Sequence, residues 1–532
     1  MVHPKCSEQD CKTCSTTSSP KKELDLLVIG AGPHALSLIT RLVDDDPDLM
    51  SEKQRGRIME DGARRARNRR TVSNHLKKRF DATEMLPRTL VVDSNGKWME
   101  QWRKDFKALD IRYLRSHQHM HPCPFDFQSL RVWAADERRE DELKQMKHVD
   151  KERCRRAGYL GPYVVPSTRL FLDFCESLVN RYNCKPLLEK GTVVDVRILD
   201  GGEERMFDVR LDDGRCFRAH KVVCAMGPGP AFQGMLSTLP WWAEDLSKCL
   251  ISGKDQEEKE EDCVICNTMM CTRDEEEKVS SVSPACRVQH SFTLTPWLRD
   301  ERNLKLLKNA RILVIGGGQT AAHLVKVAVH RGKAKHVTLC TRRSITLKPY
   351  DIDVIAVGDK RPKVLKDFHK LPSARDKLDF NKRLRGGGSI SADVYRAMCE
   401  SCSSHLNVLE ECEVVQAHWV SSLNEIHVRF DGVHDISQFD YVWLATGGTL
   451  DLSLVPIFAS LQSQHPIDTV EGLPVLQDDL SWAEDIPLYI MGVFAQLQLG
   501  ADALNLAGAR SGSVLVARAL IEDEDGDDKP DA

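Results

Sequence analysis

No run of apolar residues in this sequence approaches the ~20 needed to cross a membrane. The opening residues, Met1-Val2-His3-Pro4-Lys5-Cys6-Ser7, lack the apolar stretch of an export signal. Both absences lead to the expectation of a soluble, cytoplasmic protein without a membrane span. Net charge is also scarce. Against 75 Lys and Arg stand 79 Asp and Glu, leaving −4, so no overall field favours nucleic acid as a partner. No nucleophile–base–acid arrangement stands out, and no residue can be assigned as catalytic. Cysteine is not scarce, at 18 residues, but without an export signal the thiols are expected to stay reduced, with no metal held.

What the sequence does hold is one phosphate-binding pattern, twice. Leu24-Asp25-Leu26-Leu27-Val28-Ile29 leads into Gly30-Ala31-Gly32-Pro33-His34-Ala35. Arg311-Ile312-Leu313-Val314-Ile315 leads into Gly316-Gly317-Gly318-Gln319-Thr320-Ala321. Each is a strand-like apolar run, then G-x-G-x-x-A, then an apolar-periodic helix. The first glycine permits a tight turn and the second lets the backbone approach a pyrophosphate. The small third residue lets helix and strand pack closely. Free N–H groups and the positive end of the helix dipole then face the phosphates. The candidate residues are Gly30, Gly32, Pro33 and Ala35 at the first site. At the second they are Gly316, Gly318, Gln319 and Ala321. Two such sites imply two dinucleotides, most economically a flavin and a nicotinamide.

A chain of 532 residues is too long for a single core. Residues 1–22 and 521–532 read as polar and acidic tails. Three charged stretches, about 51–84, 135–157 and 245–285, read as flexible or solvated surface, the last within an acidic insertion over 241–286. Between them runs an αβ alternation: strand Leu24–Ile29, helix Pro33–Val43, strand Thr89–Asp93, a hairpin around Phe207–Gly214, and an apolar strand from Lys221 into a glycine turn. Fingerprint, hairpin and apolar strand recur over 311–448, ending at Tyr441–Leu444. Pro487–Phe494 is one more strand and glycine turn, too short for a domain of its own. It is expected to return to the first unit and leave the second as an insertion.

Two details bear on the ligands. The strand Thr89–Asp93 ends in an acid, which in this fold bonds the ribose hydroxyls. Here it follows the fingerprint only after the first charged stretch. Asp93 either has that role or merely opens the turn Asp93-Ser94-Asn95-Gly96. In the second unit the strand His336–Thr341 ends in Arg342-Arg343 instead. Arginine takes a phosphate bidentately, so the pair favours the 2′-phosphate of NADPH over NADH. A surface pair at a strand end is the plainer alternative.

The layout resembles the two-dinucleotide-binding-domain flavoproteins. Within them it resembles the flavin-dependent N-hydroxylating monooxygenases of the lysine/ornithine type and their uncharacterised relatives. The resemblance runs over about 24–43, 89–133, 158–240 and 287–520. It rests on Gly30-Ala31-Gly32-Pro33, Leu114-Arg115-Ser116, Pro166-Ser167, His290-Ser291, the second fingerprint, Leu444-Ala445-Thr446-Gly447 and the stretch from Gly492 to Asn505. It implies an α/β chain of two Rossmann-like domains, the NADP domain (287–448) inserted in the FAD domain (23–240 plus 449–520). FAD would sit on Gly30, Gly32, Ala35 and Asp93, with Asp502 and Asn505 near the flavin. The implied activity is an NADPH-dependent FAD monooxygenase. It would pass oxygen from O₂ to a small nucleophilic substrate such as an amine through a flavin C4a-hydroperoxide. No residues that would clamp the amino and carboxylate groups of lysine or ornithine are evident.

Other patterns compete. Cys263-Val264-Ile265-Cys266 with Cys271 could be a redox dithiol, or with Cys286 or His290 a zinc site. Its place among acidic runs favours a surface segment, and the trio Cys6, Cys11 and Cys14 belongs to a tail. His117, His119 and His121 read as loop packing, and Gly386-Gly387-Gly388 as a loop. Alternatives to oxygenation are an NADPH-linked flavin reductase of disulfides or quinones and a non-catalytic regulatory flavoprotein.

Overall fold

The computed structural model describes residues 23–48, 67–199, 205–227, 240, 242–243, 246, 287–357, 360–448, 450–501, 503 and 505–526. Two sheets dominate. The first runs Ser481–Ala483, Ile486–Ile490, Cys216–Cys224, Glu23–Ile29, Thr89–Asp93, Leu188–Lys190. Its middle is parallel, with Ile29 opposite both Val92 and Cys224. Such strands are covered on both faces, which explains why Leu26–Ile29 is buried without alternation. The second sheet is parallel throughout, in the order Leu406–Leu409, His336–Cys340, Arg311–Ile315, Tyr441–Leu444, Val288–His290.

The duplication recurs in three dimensions. Antiparallel strands Val193–Leu199 and Met206–Leu211 precede Cys216–Cys224 in the first unit. A three-stranded antiparallel sheet over Val414–Phe439 precedes Tyr441–Leu444 in the second. The chain then returns. Ile486–Ile490 lies parallel to Cys216–Cys224, so Leu488, Tyr489 and Ile490 join the core of the first sheet. The C-terminal helix Leu506–Gly526 packs on the helix Pro33–Val43. That first helix starts cleanly because Pro33 presets φ at its first turn, and it buries Ala35, Leu36, Leu38, Ile39 and Val43. No helix among the described residues is long and apolar enough to cross a membrane.

Two of the charged stretches are not simply solvated. In the first, Asn68 caps the helix Arg69–Leu76, and Val72 and His75 are buried. His75 Nε2 lies 3.0 Å from the buried Asp44 carboxylate, which the Tyr182 hydroxyl also reaches. Arg67, where the described chain resumes, pairs with Asp46 (3.1 Å) and lies over the ring of Phe125. In the second, Leu143–Gln145 pairs with Val164–Pro166, and Met146 and Cys154 pack against Tyr159, Tyr163 and Tyr350. The backbone N–H of His148 donates to Asp393 (3.0 Å), tying this stretch to the second unit. The charges misled because a few apolar residues at the right spacing suffice to anchor a mostly charged helix or strand. Residues 49–66 and nearly all of the third stretch lie outside the described residues, though Leu246 near its start is buried with Trp242 and Ala243.

Candidate functional site

Both fingerprint turns sit where a parallel strand ends and a helix begins. Gly30 has φ +100°, and a Cβ there would lie 2.9 Å from the Ala225 carbonyl oxygen, so only glycine passes the neighbouring strand end. Gly32 caps the helix in an extended conformation without a side-chain bond, and nothing stands within 4 Å of the direction its Cβ would take. The turn's open side is the side from which a pyrophosphate approaches. Ala35 is fully buried, and Pro33 is the first helical residue. His34 between them is half-buried, and desolvation of its ring pushes the imidazole down to about 4 and keeps it neutral beside the helix N-terminus.

Asp93 performs more than one task. Its Oδ2 accepts from the Ala31 N–H (3.1 Å) and its Oδ1 from the Asn95 N–H (2.8 Å), while its carbonyl oxygen accepts from Gly96. The acid therefore opens the following turn and also holds the fingerprint loop from behind. Of the two readings of Asp93, these bonds carry the turn opener.

The second turn is similar in backbone but not in surroundings. Gly316, at φ +142°, would drive a Cβ into the Ala445 carbonyl. Gly318 caps the helix Gln319–His330, and Ala321 is fully buried beneath it. In the direction of its missing Cβ lies Gly388 Cα at 3.9 Å, and a Cβ on Gly388 would stand 3.3 Å from the backbone of Gly317 and Gly318. Gln319 Oε1 accepts from the Ser391 N–H (2.9 Å). The triple-glycine loop thus packs on the fingerprint. Arg342 and Arg343 are exposed at the end of the neighbouring strand, and Arg342 stands 3.5 Å from the exposed Glu413.

Between the two units lies a cavity built from three distant segments. Arg115, His117 and Met120 come from the first, Tyr350 and Arg361 from the second, and Asn505 from the returning chain. Asn505 Oδ1 accepts from Ala507 N–H (2.8 Å) and caps the C-terminal helix there. Asp502 lies outside the described residues. Arg115 donates to Ser389 O (2.9 Å), Ser389 Oγ (2.9 Å) and Lys348 O (3.1 Å). Burial lowers its guanidinium to about 10, still charged at neutral pH. Burial also pushes His117 to about 3 and His119 to about 4. The Tyr350 hydroxyl donates to Pro162 O (2.9 Å) and meets the Tyr159 hydroxyl at 2.8 Å. No local motif marks this cavity; of its lining, the Leu114-Arg115-Ser116 segment and Asn505 stood out in the sequence, and His117 only as loop packing. Cys263, Cys266, Cys271 and Cys286, like Cys6, Cys11 and Cys14, lie outside the described residues.

Residues 243–449 match the family L-lysine 6-monooxygenase/L-ornithine 5-monooxygenase. No curated protein matches the chain in sequence. Among solved structures, ornithine hydroxylase from Pseudomonas aeruginosa is 14% identical, with TM-score 0.56 over 94% of this chain and 99% of that one. Ornithine N-hydroxylase from Kutzneria sp. 744 is 15% identical, with TM-score 0.57 over 94% and 100%. The cadaverine monooxygenase of desferrioxamine biosynthesis from Erwinia amylovora is 14% identical, with TM-score 0.54 over 94% of each chain. At such identities the likeness is one of fold. Over 243–449 the chain thus matches the lysine and ornithine monooxygenase family, and its fold is that of the solved N-hydroxylating flavin monooxygenases.

Proposed function

We propose that this chain is an FAD- and NADPH-dependent monooxygenase that oxygenates the amine nitrogen of a small substrate. The observation that carries the reading is the inserted pair of dinucleotide turns, with the matched family domain over the second. The open face of Gly32 and the acid-terminated neighbouring strand suit FAD, held by Gly30, Gly32, Pro33, Ala35 and Asp93 in a domain of 23–240 plus 449–520. Asn505, with Asp502 near it in sequence, belongs beside the flavin. Gly316, Gly318, Gln319 and Ala321 suit NADPH in a domain of 287–448, with Arg342 and Arg343 on the 2′-phosphate. When bound and reduced by NADPH, the flavin supplies the oxygen chemistry. The chain's own task is to hold both nucleotides, shield the reacting region from water and orient the amine.

The test is a purified protein assayed with candidate amines. Released FAD, oxygen uptake matched to NADPH oxidation, and a hydroxylamine product support the reading. NADPH oxidation with a disulfide or quinone and no oxygen uptake would replace it with a reductase. Bound FAD without turnover under any of these conditions would leave a regulatory flavoprotein.

A further inference from the structure

Behind the pair Arg342-Arg343 two thiols from distant parts of the second unit meet. Cys340 ends the strand His336–Cys340 and is 1% exposed, while Cys412 is half-buried. Both are free. The Cys340 thiol donates to the Cys412 carbonyl (3.2 Å), and the two side chains are in hydrogen-bonding contact. The Cys412 N–H donates to the carbonyl of Thr341 (3.0 Å). A disulfide asks for Cβ atoms about 4 Å apart. Thiols already in contact, on backbone segments joined by a hydrogen bond, are within that reach. The segment that carries Cys412 is acidic and lies on the arginine loop. Glu410 accepts from the Ile345 N–H (2.8 Å), Glu411 accepts from the Ser344 hydroxyl, and Glu413 stands 3.5 Å from Arg342. All three carboxylates are exposed. Exposed contacts of this kind are weak, so in the thiol form the acidic segment gives way to a competing phosphate.

We propose that Cys340 and Cys412 form a peroxide-sensitive thiol pair, whose disulfide pins the acidic segment Glu410–Glu413 against Arg342 and lowers the affinity for a 2′-phosphorylated nucleotide. The effect on the nucleotide rests on the reading of Arg342 and Arg343 as ligands of that phosphate, while the disulfide stands on the two thiols. The oxidant is hydrogen peroxide. Cys412, the accessible thiol, attacks it as the thiolate. A sulfur–oxygen bond forms, the oxygen–oxygen bond breaks, and the departing hydroxide takes up the proton to leave as water. The Cys340 sulfur then attacks the Cys412 sulfur. The sulfur–oxygen bond breaks, and a second water leaves with the Cys340 proton. Two thiols have then lost two electrons, and one peroxide has become two waters. Burial sets the order, since it pushes the Cys340 thiol up to about 12 and makes it the poorer first nucleophile. Once the sulfurs are joined, Glu413 can no longer swing aside with its neighbour Cys412, and its charge opposes the phosphate.

The full chain is treated with hydrogen peroxide, its remaining thiols are alkylated, and the digest is read by mass spectrometry. Calorimetry follows NADP⁺ and NAD⁺ binding before and after oxidation, so no turnover is involved. The expected result is a peptide pair linked through Cys340 and Cys412, reversed by dithiothreitol. Oxidation should weaken NADP⁺ about tenfold, the weight of one charge-assisted contact, and leave NAD⁺ unchanged. Cys412→Ser should bind NADP⁺ as the reduced wild type does and no longer respond to peroxide. Absence of the linked peptides overturns the proposal, as does linked protein that binds NADP⁺ like the reduced form or an undiminished response in Cys412→Ser. Should Cys412→Ser not fold, the wild type decides, because NADP⁺ affinity that fails to return with the thiols overturns the switch. A reduced wild type that binds NADP⁺ and NAD⁺ equally removes the arginine reading and the nucleotide effect with it, and the peptide map then judges the disulfide separately.

Discussion

Arg115 and Ser389 are 274 positions apart, yet the guanidinium donates to both the carbonyl and the hydroxyl of the serine, each at 2.9 Å. The arginine follows the first unit's acid-ended strand, and the serine follows the glycines that rest on the second fingerprint. One side chain therefore fastens the first unit to the glycine loop that covers the second fingerprint.

Arg115→Ala is expected to destabilise the protein by about 2–4 kcal/mol, since charge-assisted bonds are lost and the acceptors of Ser389 and Lys348 are stranded. Chemical denaturation monitored by tryptophan fluorescence provides the number. A change below about 0.5 kcal/mol would show that water replaces the guanidinium without penalty.

The glycines of the first turn separate folding from binding. Gly30→Ala places a methyl group against Ala225 O at a positive φ, so a loss of at least about 2 kcal/mol is expected. At Gly32 a Cβ meets nothing within 4 Å, so in Gly32→Glu the fold should survive while a carboxylate stands where phosphate belongs. A soluble, folded but colourless Gly32→Glu protein is the expected outcome. Full FAD occupancy in that variant would remove the first fingerprint from the flavin site.

For the second site, Arg342→Ala combined with Arg343→Ala should cut the preference for NADPH over NADH at least tenfold. Each lost phosphate contact is worth about 1.5–3 kcal/mol. The contact between Arg342 and Glu413 joins exposed side chains, so thermal stability should hardly move. Equal weakening of both nucleotides would make the pair a surface feature.

Acid should weaken the corner around Asp44. Burial alone would raise its carboxyl, but bonds from His75 and Tyr182 outweigh that and hold it below the ordinary value. A carboxyl lowered in the folded state contributes stability above its unfolded pKa, near 3.9, and loses it as pH falls through the folded value. Denaturation free energies from pH 6 to 3 should drop below about pH 4, and more steeply than in Asp44→Asn. Parallel curves for the two proteins would mean Asp44 is not the titrating group.

Both turns could be read from local chemistry because a glycine between strand and helix is demanded by backbone geometry alone. Gly30 and Gly316 each pass a neighbouring strand end, and the apolar runs before them become central parallel strands. The return of Ile486–Ile490 followed from a length argument. The cavity was out of reach, since Arg115, Tyr350 and Asn505 meet only through tertiary packing and share no spacing. His117 read as packing for the same reason: nothing local tells a satisfied imidazole from one left with an idle N–H. The charged stretches failed differently. Val72, His75, Met146 and Cys154 are few among many charges, and composition averages them away.

The meeting of Arg67 with Asp46 has a broader meaning. Asp48 N–H donates to Pro124 O (3.0 Å), and Arg67 covers the next residue, Phe125, so the chain departs and re-enters at one seam. With the two ends held side by side, the entropy of closing the span between them grows only as the logarithm of its length. The joint between Asp48 and Arg67 is thus a natural graft point. Drift, duplication or an engineer's tag can lengthen the chain at that joint while the first unit keeps its shape.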